Sequence, residues 1–226
     1  MNQFDVLIVD AGPVGLFLAH EMVRRQVRFA IIEQKPGQSE HSKALAVMPR
    51  TMEVFEMAGI VEPFRRTATP ARSARIVAHQ RELARIAFDP QNCDYPYVAM
   101  IPQDVTERLL AKRLAAAGGA VEYETRLVGF EAQPDHVAAT LEHGGEPRSV
   151  TTRFLIGADG AHSTVRHGLD LQFAGSEYDQ SFLLADVELA GALAGDELHL
   201  CPSEHGPPGA LPDEREPVAY RGDGPG

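Results

Sequence analysis

The alternation of apolar and polar residues near the N-terminus predicts a strand, a helix and a second strand. Phe4–Val9 is a short, β-branched apolar run, typical of a strand buried on both faces of a parallel sheet. After a glycine-containing turn, apolar residues recur at helical spacing, and Arg28–Ile32 predicts the next strand. This order is a βαβ unit, whose right-handed crossover places the helix against the sheet. The apolar helical positions are Val14, Leu16, Leu18, Ala19, Met22 and Val23.

Two further helices are predicted by their end signals. Pro49 suits the first turn of a helix that Gly59 is placed to end. Asp104-Val-Thr-Glu107 matches a capping box, which predicts the start of an amphipathic helix ending at Gly118. The remaining strand predictions are a hairpin at 74–78 and 83–88, and strands at 121–123, 127–132, 136–142 and 149–156.

Length and charge narrow the classes of function. The chain has 226 residues, enough for one domain or for one domain and part of a second. Its formal net charge of −11 disfavours binding to nucleic acids or to anionic membranes, so we expect small-molecule or protein partners. Cys93 and Cys201 give no disulfide framework, and we find neither a signal peptide nor a membrane span, which favours the cytoplasm.

The turn after the first predicted strand contains Asp10-Ala-Gly12-Pro-Val-Gly15. Compared with the dinucleotide-binding pattern G-x-G-x-x-G, the second and third glycines are present, and aspartate replaces the first. Glycines let the backbone approach a pyrophosphate, which the amides at the helix N-terminus attract. The Asp10 side chain adds bulk and negative charge, so we expect it to weaken pyrophosphate binding.

Glu33 ends the second predicted strand, close to the position at which an acidic residue accepts hydrogen bonds from a ribose. It favours an adenosine-containing ligand. The alternative interpretation is a generic βαβ turn with a solvated glutamate. A second candidate ligand site is the predicted buried strand at Phe154, which runs into the turn Gly157-Ala-Asp-Gly160 and then a helix.

Three motifs together resemble the FAD-dependent aromatic hydroxylases, single-component flavoprotein monooxygenases similar to para-hydroxybenzoate hydroxylase, phenol hydroxylase and the rifamycin and polyketide hydroxylases. The motifs are Val9-Asp-Ala-Gly-Pro-Val-Gly-Leu16, His41-Ser-Lys-Ala-Leu-Ala-Val-Met-Pro-Arg50-Thr-Met-Glu-Val-Phe55 and Gly157-Ala-Asp-Gly-Ala-His-Ser-Thr-Val-Arg166. The resemblance runs from about Asn2 to about Leu200. It implies an α/β fold: a Rossmann-like FAD-binding parallel sheet with flanking helices, plus a partial antiparallel substrate-domain sheet.

The resemblance also implies a set of cofactor-binding residues. Gly12 and Gly15 would hold the FAD pyrophosphate, and Glu33 the adenosine ribose. Lys43 stands where many relatives have arginine, which keeps the charge and loses a planar bidentate contact. No catalytic acid or base and no metal ligand is assigned. The full implied set is Gly12, Pro13, Val14, Gly15, Glu33, Gln34, Lys43, Gln103, Asp159 and Gly160.

The resemblance implies three parts of the chain. Residues 1–170 would form the FAD-binding domain, with an inserted substrate-domain hairpin around 71–100, and 171–200 would begin the substrate-binding sheet. Residues 201–226 are rich in proline and glycine, so we expect an irregular or disordered tail. The ribityl-binding Gly-Asp motif of relatives has no counterpart here except Gly222-Asp223, which predicts a chain truncated at its C-terminus.

The implied function is an NAD(P)H-dependent monooxygenase that hydroxylates an aromatic or polyketide-like substrate with molecular oxygen, through a flavin hydroperoxide. NADPH and NADH remain alternatives as reductant, and a homodimer is expected by analogy. Two other hypotheses stay open: a catalytically inactive remnant of an FAD domain, and an FAD-dependent reductase or dehydrogenase.

Three other residue clusters give weaker hypotheses. His199, Cys201 and His205 lack the spacing of a known structural metal site. Asp159, His162 and Ser163 include the residue types of a hydrolase triad, but the nucleophile elbow G-x-S-x-G is absent. A basic stretch favours an ion-paired surface over an anion site. Its members are Arg65, Arg66, Arg72, Arg75, Arg81 and Arg85.

Overall fold

The computed structural model describes residues 4–38, 45–78, 81–88, 93–175 and 195–202, and the backbone of 209–210. The chain divides into two compact units: Met1–His41 with Asp104–Glu177, and Ser42–Gln103 with Tyr178–Gly226. The elements in chain order are β1 (Phe4–Val9), α1 (Pro13–Arg24), β2 (Phe29–Ile32), β3 (Ala46–Val47), α2 (Pro49–Met57), α3 (Val61–Thr67), β4 (Thr69–Ala71), β5 (Ser73–Ala78), β6 (Arg81–Ala87), β7 (Val98–Met100), α4 (Gln103–Ala116), β8 (Val121–Glu122), β9 (Thr125–Ala132), β10 (Val137–His143), β11 (Glu146–Gly157), a 3-10 turn (Gly160–His162), α5 (Thr164–Gly168), β12 (Glu197–Leu200) and β13 (Gly209–Ala210).

A six-stranded sheet in the order β8-β2-β1-β11-β10-β9 organises the first unit. The first four strands in this order run parallel, and β10 and β9 continue the sheet antiparallel. As predicted, β1 is buried on both faces: Leu7 and Ile8 are fully inaccessible to solvent. Leu7 packs with Ile32 and Leu141 in a core that joins the parallel and antiparallel strands. The predicted mixed α/β architecture is confirmed.

One sequence prediction in this unit is corrected by burial. Val14, at helical spacing with the core residues of α1, is 70% exposed in the first turn of the helix, and no burial was predicted for it. Phe154 on β11 was predicted to be buried and is 58% exposed. It pairs with Val6 of β1, which is only 7% exposed, so two paired positions of the sheet differ in burial.

The predicted capping box of α4 is wrong in its placement. The helix begins at Gln103, so Asp104 lies inside the first turn and not before it. Its carboxylate accepts a hydrogen bond from Arg108 one turn later, at 2.7 Å, and a negative charge near a helix N-terminus is favourable. Leu110 and Leu114 form the buried stripe of the helix, as the amphipathic pattern predicted.

The second unit contains two small sheets, with orders β13-β12-β5-β6 and β3-β7-β4. The predicted hairpin is present as the antiparallel pair β5 and β6. The predicted helix after Pro49 is α2, and Gly59 follows it with a φ of 75°, the left-handed conformation that suits glycine after a helix end. Ala71, Val98 and Met100 form a small core in this unit.

The basic stretch of the second unit is largely ion-paired. Arg65 and Arg66 both reach Glu62, at 2.7 and 3.7 Å, and Arg75 pairs with Glu82 at 2.7 Å. Arg85 pairs with the buried carboxylate of Glu197 on β12, which also accepts a hydrogen bond from Ser73. The prediction of an ion-paired surface is confirmed for these four arginines.

The predicted division into 1–170, 171–200 and 201–226 stays a prediction. Within the last segment, Gly209–Ala210 forms β13 and pairs with β12, and most of its other residues lie outside those that the structure describes. Among the described residues, no helix is long and apolar enough to cross a membrane.

Candidate cofactor-binding site

Three loops of the first unit lie at one edge of the sheet. The strands β2, β1 and β11 are neighbours and run parallel, so their carboxyl ends meet at the same edge. The turn that begins at Asp10 follows β1, Glu33 follows β2, and the turn at Asp159 follows β11. Backbone hydrogen bonds join them: the amide of Asp10 donates to Ile32, and that of Ala158 donates to Val9, both at 2.9 Å. Ligands of open α/β sheets bind at such an edge.

Two glycines allow the tight passage from β1 into α1. A Cβ atom on Gly15 would lie 2.0 Å from the backbone oxygen of Asp10, a distance that no side chain can occupy. A Cβ atom on Gly12 would lie 2.8 Å from the Asp10 carboxylate. Gly12 is the N-cap of α1, and no side chain caps this helix end. The first amides of α1 are therefore placed to meet an anion.

Asp10 replaces the first glycine of the pattern and adopts a backbone conformation that favours glycine. Its φ of 85° is in the left-handed region, which favours glycine and which aspartate tolerates better than most residues. Its Oδ2 accepts a hydrogen bond from the Gly12 amide at 2.9 Å. A carboxylate of the protein therefore holds an amide at the helix N-terminus, where a pyrophosphate would be expected.

Glu33 is fixed by two backbone amides. It is buried, with 4% of its surface exposed. Its Oε2 accepts a hydrogen bond from Ala11 at 3.1 Å, and its Oε1 accepts one from Lys35 at 2.9 Å. These bonds tie the end of β2 to the glycine turn and orient the carboxylate. The sequence pattern predicted Glu33 but not the amides of Ala11 and Lys35, because such contacts depend on the positions of the two loops.

Burial and the neighbouring Glu33 both act on the carboxyl group of Asp10. Burial raises the pKa of Asp10 to about 6, the hydrogen bond from Gly12 opposes this change, and the charge and hydrogen bonding of Glu33 add to it. The positive charge of Lys35 acts in the opposite direction. Asp10 is therefore an acidic group that changes its protonation close to neutral pH.

The third loop uses its polar side chains to begin α5. Asp159 Oδ2 accepts a hydrogen bond from the Thr164 amide at 2.7 Å, and Ser163 Oγ accepts one from the Arg166 amide at 3.0 Å. Both side chains therefore cap the helix, which gives them a structural role other than the hydrolase triad. Gly160 has a φ of 70°, which its lack of a side chain permits.

The remaining predicted site residues are placed as follows. Pro13 is the first residue of α1, beside the exposed Val14. Gln34 is exposed and follows Glu33 directly. Gln103 is the first residue of α4 and belongs to the second unit. Lys43 lies outside the described residues. The structure thus brings together the glycine turn, Glu33 and the Asp159 loop, and their roles in binding stay predictions.

These features fit a dinucleotide, with one exception. A glycine turn between a parallel strand and a helix, with an acidic residue at the end of the next strand, defines the dinucleotide-binding class of α/β proteins. Gly12, Gly15 and Glu33 fit that class by geometry. The exception is the carboxylate of Asp10, which accepts the hydrogen bond of the Gly12 amide and adds negative charge at the turn.

Comparison with known proteins identifies the family. The family described as FAD binding domain matches residues 3–212, beyond Leu200, where the motif resemblance ends. The chain belongs to this FAD-binding family, as the three motifs predicted. It is 39% identical over 199 residues to 6-methylpretetramide 4-monooxygenase of Streptomyces rimosus, covering 86% of this chain and 35% of that protein.

Solved structures agree with this relationship. Aklavinone-11 hydroxylase, in a ternary complex with FAD and aklavinone, has a TM-score of 0.79 and 25% identity, covering 98% of this chain and 46% of that one. OxyS anhydrotetracycline hydroxylase from Streptomyces rimosus has a TM-score of 0.69 and 31% identity, covering 77% and 35%. The chain spans less than half of the length of each of these three proteins.

Proposed function

We propose that this chain is the FAD-binding part of a flavin monooxygenase that hydroxylates an aromatic or polyketide-like substrate, with NADPH or NADH as reductant and molecular oxygen as oxidant. The observation that carries the proposal is the buried Glu33, held by the amides of Ala11 and Lys35 beside the glycine turn. The family to which the chain belongs and its monooxygenase relatives support the proposed class of reaction. The cytoplasm is a further part of the proposal, based on the lack of a disulfide framework, and a homodimer is another, based on analogy with relatives.

The residues of this chain bind and orient the cofactor in this proposal. Amides at the start of α1 bind the pyrophosphate, since Gly12 and Gly15 permit the tight turn from β1 into α1 that positions these amides. Glu33 accepts hydrogen bonds from the adenosine ribose, and its orientation by two amides lowers the entropic cost of that contact. FAD supplies the redox chemistry when bound.

FAD binding is the first test. The full 226-residue chain is titrated with FAD, and binding is followed by the change in flavin fluorescence. We expect saturable binding that Glu33→Ala weakens at least tenfold, because that variant loses the ribose acceptor and leaves two amides without their partner. Glu131→Ala is the matched control, since Glu131 is an exposed glutamate on β9. No binding at high micromolar FAD would contradict the proposal.

Oxidation of NADPH or NADH is the second test. A rate that phenolic compounds stimulate, with a hydroxylated product, supports a monooxygenase. A rate without such stimulation favours the FAD-dependent reductase. FAD binding without any oxidation favours the catalytically inactive FAD-binding unit. Comparing the two reductants at equal concentration distinguishes NADPH from NADH.

A further inference from the structure

The turn that would bind the FAD pyrophosphate is occupied by a side chain of its own. Oδ2 of Asp10 lies 2.9 Å from the amide nitrogen of Gly12. An ionised carboxylate accepting a hydrogen bond from the N-cap residue of a helix resembles a phosphate oxygen in both charge and position. The inference drawn from this contact rests on the proposed binding of FAD at this turn.

The surroundings of Asp10 make its charge costly. Glu33 is the carboxylate next to it, and Glu33 is held in place by Ala11 and Lys35, so it cannot move away without losing two hydrogen bonds. Lys35 provides the opposing positive charge. A pyrophosphate at the turn would add a further negative charge close to both carboxylates. The arrangement therefore favours the neutral form of Asp10 when an anion is bound.

We propose that Asp10 is an internal competitor for the FAD pyrophosphate: its carboxylate holds the Gly12 amide in the ligand-free protein, and FAD binds to the form in which Asp10 is protonated and has released that amide. Binding of FAD therefore takes up one proton. A neutral carboxyl group also has an O–H donor to offer to a phosphate oxygen, whereas the ionised group has none.

The test is the pH dependence of FAD affinity. The dissociation constant of the full chain is measured by flavin fluorescence between about pH 5 and about pH 8, a range in which FAD itself does not titrate. We expect the dissociation constant to be nearly constant at the acidic end and to rise about tenfold per pH unit above about pH 6, as the linkage of one proton to binding requires. Calorimetric titration at pH 7 in buffers of different ionisation enthalpy should show uptake of close to one proton.

Two variants separate this role from a structural one. Asp10→Asn keeps an acceptor for the Gly12 amide and cannot ionise, and Asp10→Gly removes the side chain. Both should lose the pH dependence and the proton uptake, and Asp10→Gly should bind FAD about tenfold more tightly than the wild type at neutral pH. Asp170→Asn is the control, because Asp170 is an exposed aspartate that also has a positive φ, of 53°.

The outcomes distinguish the inference from the proposed function. FAD binding that is independent of pH in the wild type, or a pH dependence that Asp10→Asn retains, overturns the inference and leaves the proposed function intact. Absence of FAD binding by the wild type and by both variants at every pH overturns both. Circular dichroism of each variant confirms that the compared proteins are folded.

Discussion

The carboxylate of Asp10 accepts a hydrogen bond from the amide of Gly12, two residues along the chain, at 2.9 Å. This local bond stabilises a turn whose backbone φ at Asp10 is 85°, a conformation that glycine adopts without cost. The contact therefore has opposite expected effects on folding and on ligand binding. It satisfies the ligand-free turn, and it places a negative charge where the ligand's own negative charge is expected.

The stability of the ligand-free protein should depend on pH through Asp10. Its pKa is about 6 in the folded protein, above the ordinary value of 3.8, so the folded state binds more protons than the unfolded state between these values. The free energy of unfolding contributed by this group therefore falls as the pH rises from about 4 to about 6. Asp10→Asn lacks this titration, so its stability relative to the wild type should increase over the same interval and stay constant above it.

Urea denaturation of both proteins without FAD, at several pH values, measures this difference. Asp135→Asn is a suitable comparison, because Asp135 is exposed and its pKa is lowered by its hydrogen bond to His136. The stability of Asp135→Asn relative to the wild type should fall as the pH rises through the acidic range, which is opposite to the change expected for Asp10→Asn. A constant difference between Asp10→Asn and the wild type from about pH 4 to about pH 7 would contradict the prediction.

Gly15→Ala should destabilise the protein even though alanine has the higher helix propensity. Alanine is the better helix former by about 1 kcal/mol, but its Cβ would lie 2.0 Å from the backbone oxygen of Asp10. The backbone of the turn must then move, at a cost of about 1–3 kcal/mol or more. We also expect FAD affinity to fall at least tenfold, because α1 and its amides are displaced from the end of β1.

Thermal and urea denaturation measure the loss of stability in Gly15→Ala, and fluorescence titration measures FAD binding. Gly129→Ala is the matched control: Gly129 is on β9, and a Cβ atom there would meet nothing within 4 Å. Equal stabilities of the two variants would show that the close approach of α1 to β1 is not required.

Glu33→Gln tests whether the buried carboxylate needs both of its oxygens. Each oxygen accepts from a backbone amide, so the NH₂ group of glutamine must face either Ala11 or Lys35 as a second donor. We expect a loss of about 1–3 kcal/mol in the free energy of unfolding and a weaker affinity for FAD. Removing the charge also lowers the pKa of Asp10 toward its ordinary value, so the pH dependence of FAD binding should move to lower pH.

Denaturation and FAD titration at several pH values test these effects of Glu33→Gln. Glu131→Gln, on an exposed position of β9, is expected to match the wild type in stability, in FAD affinity and in the pH dependence of that affinity. A Glu33→Gln variant with normal stability would mean that the two amides find other partners.

Short-range patterns predicted much of the first unit and one hairpin of the second. The βαβ unit, the hairpin of β5 and β6 and the strands from 121 to 157 were predicted because each apolar run is short and bounded by turn residues. The family and FAD as its cofactor followed from three motifs. Phe154 was predicted wrongly because burial on a strand depends on which elements cover each face, and the pattern of one strand does not contain that information.

The electrostatics of the site depend on the three-dimensional arrangement of its loops. The sequence shows that Asp10 replaces a glycine, and it predicts a conflict with a bound phosphate. It does not show that Oδ2 reaches the Gly12 amide, or that Glu33, distant in sequence, lies beside it. The first fact depends on the backbone conformation of the turn, and the second on the parallel pairing of β1 with β2, which brings the ends of the two strands together.

Ser163→Ala should weaken the start of α5 without changing the glycine turn. Ser163 is buried, and its Oγ accepts a hydrogen bond from the Arg166 amide at 3.0 Å. Loss of an N-cap of this kind costs about 1 kcal/mol, and α5 has only five residues to absorb the loss. We expect the free energy of unfolding to fall by about that amount in urea denaturation. Ser163→Thr, which keeps the hydroxyl group, should retain most of the stability. A Ser163→Thr variant as unstable as Ser163→Ala would assign the effect to packing rather than to the cap.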